Sequence, residues 1–189
     1  MMAGTPGFYG ERLMEIREAR GLTMLQLGEL IGVSKQAIGM YEKAKCSPSP
    51  ETLERLTQVL RVPARFFLRP PPPPPSGAVY YRSFAAATQR MRTRAERKMG
   101  WVREILKYLS GYVELPTINI PNFSPPTDPR QVTDEMIDEA ASSLRKHWGL
   151  KEAVISNVAL LLENNGIVAS RFELECDQLD SFSLRISRC

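Results

Sequence analysis

Lys35, Gln36 and Met40 are the residues of this chain whose types and spacing suit recognition chemistry. Positions 36 and 40 lie one helical turn apart, so on a helix they share a surface with Lys35. There a glutamine amide can bond an adenine bidentately or another base edge more loosely. A lysine can reach guanine acceptors or a phosphate, and a methionine can press against a thymine methyl. Lys43 and Lys45, beyond that stretch, suit the sugar-phosphate backbone, where they would set register without reading sequence. Hydrolytic chemistry has no comparable set. The single histidine, His147, sits beside Trp148 near the end of an expected helix, where it favours the negative dipole end. It has no HExxH companion, and neither a phosphate-cradling glycine loop nor a GxSxG elbow occurs. The sequence implies no catalytic residues, no metal and no cofactor.

The elements that must position these side chains lie in LTMLQLGELIGVSKQAIGMYEKAK, residues 22–45, which reads as two short helices joined by a glycine turn. The first starts at Thr23, a good N-cap, and is expected to carry Leu27, Leu30 and Ile31 inward until Gly32 interrupts it. The second starts at Ser34, with Lys35 and Gln36 projecting from its first turn and Ile38 and Tyr41 on the buried side. A helix that begins this way can enter the DNA major groove end-on.

Supporting elements flank this pair. Gly10 to Arg20 forms a helix with Leu13, Ile16 and Ala19 or Arg20 on one face and Gly21 as its stop. Ser49 and Pro50 open another, with Leu53, Leu56, Val59 and Leu60 as its stripe, and a short turn from Pro63 to Leu68 lets Phe66 and Phe67 plug the base. Pro70 to Pro75 then fix a polyproline II spacer roughly 19 Å long, a ligand for a proline-reading module being the other reading. From Ala85 to Val113 a long helical pattern places Met91, Ala95, Met99, Val102, Leu106, Leu109 and Val113 on one seam, to be buried within the chain or in a dimer. Its basic cluster of Arg90, Arg92, Arg94, Arg97 and Lys98 suits either phosphate contact or, more commonly, a solvated face.

Leu115 to Pro129 is proline-rich and expected to be extended. Thr133 caps a helix with Asp134 and Glu135 in its first turn, Ile137, Ala140 or Ala141, Leu144 and Trp148 inside, and Gly149 as its stop. A second helix spans about Ala153 to Asn164, followed by strand-like runs Gly166 to Leu174 and Leu179 to Ile186. Two terminal strands leave an edge unpaired, which implies completion by another chain or by further sequence.

Length and composition allow two compact parts: 189 residues, 43% apolar and 24% charged. The formal charge of +4 is uneven, with residues 1–75 at +3 (10 basic, 7 acidic), 76–115 at +5 (8 against 3) and 116–189 at −4 (7 against 11). Positive charge gathers where the expected DNA reader and the segment after it lie. Cys46, Cys176 and Cys189 share no metal-type spacing and are expected as free thiols. With neither a membrane span nor a signal sequence, the protein is expected in the cytoplasm.

Residues 10–68 resemble the Xre family of phage-repressor-type helix-turn-helix domains through RLMEIREARGLT, the turn LGELIGVS and the pair Tyr41–Glu42. The resemblance implies that Arg17 of the first helix pairs with Glu42. It also marks Met24 as a departure, because the family places a phosphate-bonding glutamine there. Residues 79–186 are similar to the leading part of Xre regulators fused to an ImmA/IrrE-type metallopeptidase domain, through YYRSF, YVELPTINIP, HWGL and ISNVALLLENNGIVASRFEL. That similarity implies truncation before the catalytic HExxH.

The expected architecture is mainly α: a five-helix repressor-like bundle over 8–69, a proline-rich linker over 70–78, a long basic amphipathic helix over 79–115, and a partial α+β segment over 130–189. The implied function is a sequence-specific DNA-binding regulator, a repressor acting as a homodimer on a two-fold operator. Double-stranded DNA is the implied partner, a protein partner through the C-terminal segment is possible, and no membrane is involved. The alternatives are a truncated metallopeptidase-regulator fusion and an antitoxin. Thr23, Ser34, Lys35, Gln36, Met40, Lys43 and Lys45 are the expected DNA-binding residues.

Overall fold

The computed structural model describes residues 4–73, 79–82, 88–150, 152, 154–172 and 181–184. The chain divides into two compact units, Met1–Lys107 with Phe172–Cys189, and Tyr108–Arg171.

In the first unit four helices surround one apolar core: α1 (Gly10–Ala19), α2 (Met24–Ile31), α3 (Lys35–Glu42) and α4 (Pro50–Leu60). Leu13, Ile16, Leu27, Ile31, Ile38, Leu53, Leu56, Leu60 and Phe67 form that core. The expected fifth helix is a single 3-10 turn, Ala64–Phe66, since Pro63 fixes its start and the chain leaves the bundle at Pro70. Phe67 is fully buried, stacked on Phe8 at 5.7 Å and met edge-on by Phe66 at 5.6 Å. Leu30 is not a core residue: it is 57% exposed. Leu27 and Ile31, at i and i+4, already occupy the narrow inward stripe of this two-turn helix, and Leu30 lies outside it.

Past the linker, the chain departs from the expected long helix. Val79–Arg82 is a strand, β1, paired antiparallel with β2 (Ser181–Leu184) in the register Val79↔Leu184 to Arg82↔Ser181. The C-terminal strand therefore finds its partner within the chain. The helix itself, α5, runs from Gln89 to Leu109. Along its seam Ala95 is buried and Met91, Met99, Val102 and Leu106 are half-buried, whereas Leu109 and Val113 are exposed. Positions 85–87 of the expected helix, as well as Pro74, Pro75, Cys176 and Cys189, lie outside the described residues. Cys46 is an exposed free thiol.

The second unit holds α6 (Asp134–His147) and α7 (Val158–Asn164). Thr133 caps α6 through the Met136 amide, and Gly149 follows it with φ +67°. Helix α7 starts later than Ala153 because Asn157 is its N-cap, accepting from the Leu160 amide and leaving Val154 and Ile155 outside. Gly166–Phe172 forms no strand, and Glu173–Leu174 lie outside the described residues. Among the described residues of this unit only Asn165 is buried. Its side chain accepts from Asn119 at 2.7 Å, while Asn119 faces the His147 ring at 2.7 Å and takes the Trp148 indole N–H at 2.7 Å.

Candidate nucleic-acid interface

The reader pair is fixed by its caps. Thr23 accepts from the Gln26 amide at 3.2 Å while the Gln26 side chain accepts from the Thr23 amide at 2.9 Å, a reciprocal capping box that sets the start of α2. Gly32 ends α2 in the left-handed region at φ +71°. Ser34 Oγ then accepts from the Ala37 amide at 3.1 Å and begins α3. Gly28 makes the turn compact, since a Cβ there would lie 2.6 Å from the Val33 carbonyl oxygen. A larger residue would force α2 and the turn apart.

From this frame Lys35, Gln36 and Met40 project on the exposed side of α3, whereas Ile38 is fully buried and Tyr41 half-buried behind them. Met40 is 38% exposed, an uncovered apolar group on an otherwise polar surface. Lys43 and Lys45 follow at the C-terminal end of α3 and are also exposed, with the Lys45 amide bonded to the Met40 carbonyl at 2.9 Å. Ala44 between them holds φ +53°, a conformation that turns the chain sharply out of the helix. Thr23 and Ser34 are exposed at the helix starts, their hydroxyls engaged as caps.

Behind the reader, Arg17 and Glu42 form a two-pronged ion pair, Nε to Oε1 and Nη2 to Oε2 at 3.0 Å, with side chains 9% and 3% exposed. Arg17 also bonds the Leu22 carbonyl at 2.9 Å. Gly10 allows the contact: a Cβ there would meet the Tyr41 carbonyl oxygen at 2.2 Å, so α1 abuts the end of α3 backbone to backbone. Burial raises the Tyr41 hydroxyl's pKa above its usual range.

Three arginines of the α5 basic cluster are engaged by the helical bundle. Arg94 donates to the Ala19 carbonyl at 3.1 Å, Arg97 to Glu18 at 2.8 Å, and Arg90 to the Gly21 carbonyl and the Gln26 side chain. Cations gathered at the carbonyl end of α1 complement its dipole. Farther along, Trp101 donates its indole N–H to Glu15 at 2.6 Å, and Glu104 grips Arg12 with both oxygens at 2.6 and 2.9 Å. Arg12 is 1% exposed, also bonds Glu15 at 3.0 Å, and lies 5.1 Å from the Phe66 ring centre. Burial works against its charge, but the Glu104 hydrogen bond and the two carboxylates outweigh it and raise its pKa. Glu104 is held below the usual carboxylate range, chiefly by its hydrogen bond from Arg12. Apolar periodicity leaves Arg12, Glu15, Trp101 and Glu104 unmarked; the i,i+3 spacing of Arg12 and Glu15 is the one local signal in the set.

Among the described residues no group of three His, Cys, Asp or Glu is placed to hold a metal, and no helix is long and apolar enough to cross a membrane.

Residues 13–67 match the helix-turn-helix family HTH_3. The SPbeta prophage-derived HTH-type transcriptional regulator YonR of Bacillus subtilis is 33% identical over 61 residues, 32% of this chain and 56% of that protein. The HTH-type transcriptional regulator SutR of Escherichia coli is 36% identical over 63 residues, 33% of this chain and 35% of that protein. The HTH-type transcriptional repressor RghR of Bacillus subtilis is 39% identical over 56 residues, covering 29% and 42%. The chain thus spans little more than half of the length of these relatives at most. A crystal structure of the P22 c2 repressor protein in complex with a synthetic operator matches at 30% identity and a TM-score of 0.31, over 32% of this chain and 91% of that one.

Proposed function

From a helix-turn-helix domain at residues 13–67, we propose that the chain is a sequence-specific DNA-binding transcriptional regulator, acting as a repressor. One observation carries the reading: α3 is capped by Ser34 and locked from behind by Ile38 and the Arg17–Glu42 pair, while Lys35, Gln36 and Met40 stay exposed on its outer side. A rigid helix with a free, chemically mixed first turn is what base-edge reading requires. Gln36 reads a base, Lys35 a guanine edge or phosphate, and Met40 a thymine methyl. Thr23, Ser34, Lys43 and Lys45 lie along the sugar-phosphate backbone and set register. Two copies bind a two-fold operator in the cytoplasm, as a binding protein and not an enzyme. Residues 79–186, which resemble the leading part of ImmA/IrrE-fused regulators, act as a sensor or partner-binding portion.

The test is selection of a preferred duplex from a random pool, followed by anisotropy titration of variants. Gln36→Ala should cost about 1 to 3 kcal/mol on the selected site and little on random duplex, whereas Lys45→Ala should weaken both and reduce the salt slope by about 1. Equal losses on both duplexes for Gln36→Ala would remove it from the reading surface. An unselected pool would end the proposal.

A further inference from the structure

Helix α1 is held from two sides. Its Gly10 and Arg17 fasten the C-terminal end of α3, and its Arg12, Glu15, Glu18 and Ala19 carbonyl are bound by α5. The α5 contacts are not surface decoration. Arg12 is among the largest fully buried side chains of the described residues, and Glu104 supplies its bidentate partner from 92 residues away. Without Glu104, Arg12 would keep only Glu15, the Phe66 ring and the carbonyls of Arg69 and Pro70. A second line of charge runs from Arg97 to Glu18 at 2.8 Å, from Glu18 to Arg17 at 3.6 Å, and from Arg17 to Glu42. It joins α5 to the last residue of the reading helix through one arginine shared between two carboxylates.

We propose that α5 is a working part of the DNA-reading module, and that Glu104, Trp101 and Arg97 are positioning residues which, through α1, hold α3 at its reading angle. This rests on the DNA-binding function proposed above and deepens it: the module is the bundle together with α5, and freeing α5 switches reading off. An ion pair with one partner in each of two elements favours one docked geometry, because an unpaired buried arginine is strongly disfavoured. Arg17, drawn by both Glu18 and Glu42, gives the two sites a shared group whose geometry both bias.

The experiment uses the full chain with Trp148→Phe, which leaves Trp101 as the sole indole reporter of docking. Glu104→Ala should red-shift Trp101 emission and lower affinity for the selected duplex by about tenfold. Random-duplex affinity should stay within about twofold, since backbone contacts tolerate a tilted α3. Both titrations are run where far-UV circular dichroism reports a fully folded protein, so that loss of fold cannot imitate the effect. If Glu104→Ala does not fold, Glu18→Gln cuts only the Arg97–Glu18–Arg17 line, and it should lower the same specific-to-random ratio. A released α5 with an unchanged ratio would make it a tether and overturn the proposal, as would a Trp101 emission that neither Glu104→Ala nor Glu104→Ala with Arg97→Ala moves. If the parent protein prefers no duplex, it is the functional reading that fails. Hydrogen exchange at the Ile38 and Gly39 amides then decides the mechanical claim, faster exchange in Glu104→Ala supporting it and unchanged exchange refuting it.

Discussion

Glu42→Ala is the substitution whose cost follows most directly from the geometry. It removes the bidentate partner of Arg17, a side chain only 9% exposed, and leaves a guanidinium that cannot shed its charge. Breaking a buried pair by deleting one member costs about 3 to 5 kcal/mol. Arg17 keeps the Leu22 carbonyl at 2.9 Å and Glu18 at 3.6 Å, which places the expected loss at the lower end, about 3 kcal/mol. For a domain stable by about 5 to 15 kcal/mol that is a large fraction. Replacing both partners, Arg17→Met with Glu42→Leu, takes away the uncompensated charge and should return stability to within about 1 kcal/mol of the parent. Urea unfolding followed by Trp101 emission, in the Trp148→Phe background, measures both. The midpoint should fall for the single variant and recover for the double one at constant slope. A single-variant loss below about 1 kcal/mol, or a double variant no better than the single, would refute the claim that charge pairing fastens α1 to α3.

Leu27 and Leu30 make a paired test of the stripe on α2: Leu27→Ala should cost about 2 to 5 kcal/mol and Leu30→Ser less than about 0.5 kcal/mol by thermal or urea unfolding, and the reverse order would mean α2 is rotated from the orientation described. Acid should release α5. Glu104 ionises more easily folded than unfolded, so its contribution is complete above the unfolded value of about 4.3 and is lost as pH falls through the lower folded value. Trp101 emission should therefore hold steady from neutral pH to about 5 and shift only below about 4, and a transition centred above 5 would assign the release to another group.

The bundle was legible because its signals are local. Thr23, Ser34, Ser49 and Thr133 each cap a helix start that their residue type announces, and Gly21, Gly32 and Gly149 follow helices in positive-φ conformations. The exposed placement of Lys35, Gln36 and Met40 followed from the same spacing. Leu30 failed because an apolar residue at i+3 fits a helical stripe arithmetically even when i+4 fills it. The role of α5 was illegible for a different reason. Arg12, Glu15 and Glu104 are charged, so a periodicity of apolar residues assigns them to solvent, and nothing local records that an arginine at 12 meets a carboxylate at 104. Pairing of Val79–Arg82 with Ser181–Leu184 is equally non-local, and a four-residue strand after a proline run carries no alternation long enough to be told from the helix that follows.

Asn165 is the one buried residue among the described residues of Tyr108–Arg171, and its side chain is held by hydrogen bonds to the Asn119 amide and the Leu161 carbonyl, with Asn119 in turn bonded by His147 and Trp148. A body pinned by polar contacts exposes little new apolar area when it comes apart, so its melting should carry a small heat-capacity step and spread over a wide temperature range. Calorimetry of the whole protein should then resolve a sharp transition from the helical bundle and a shallow one from this region.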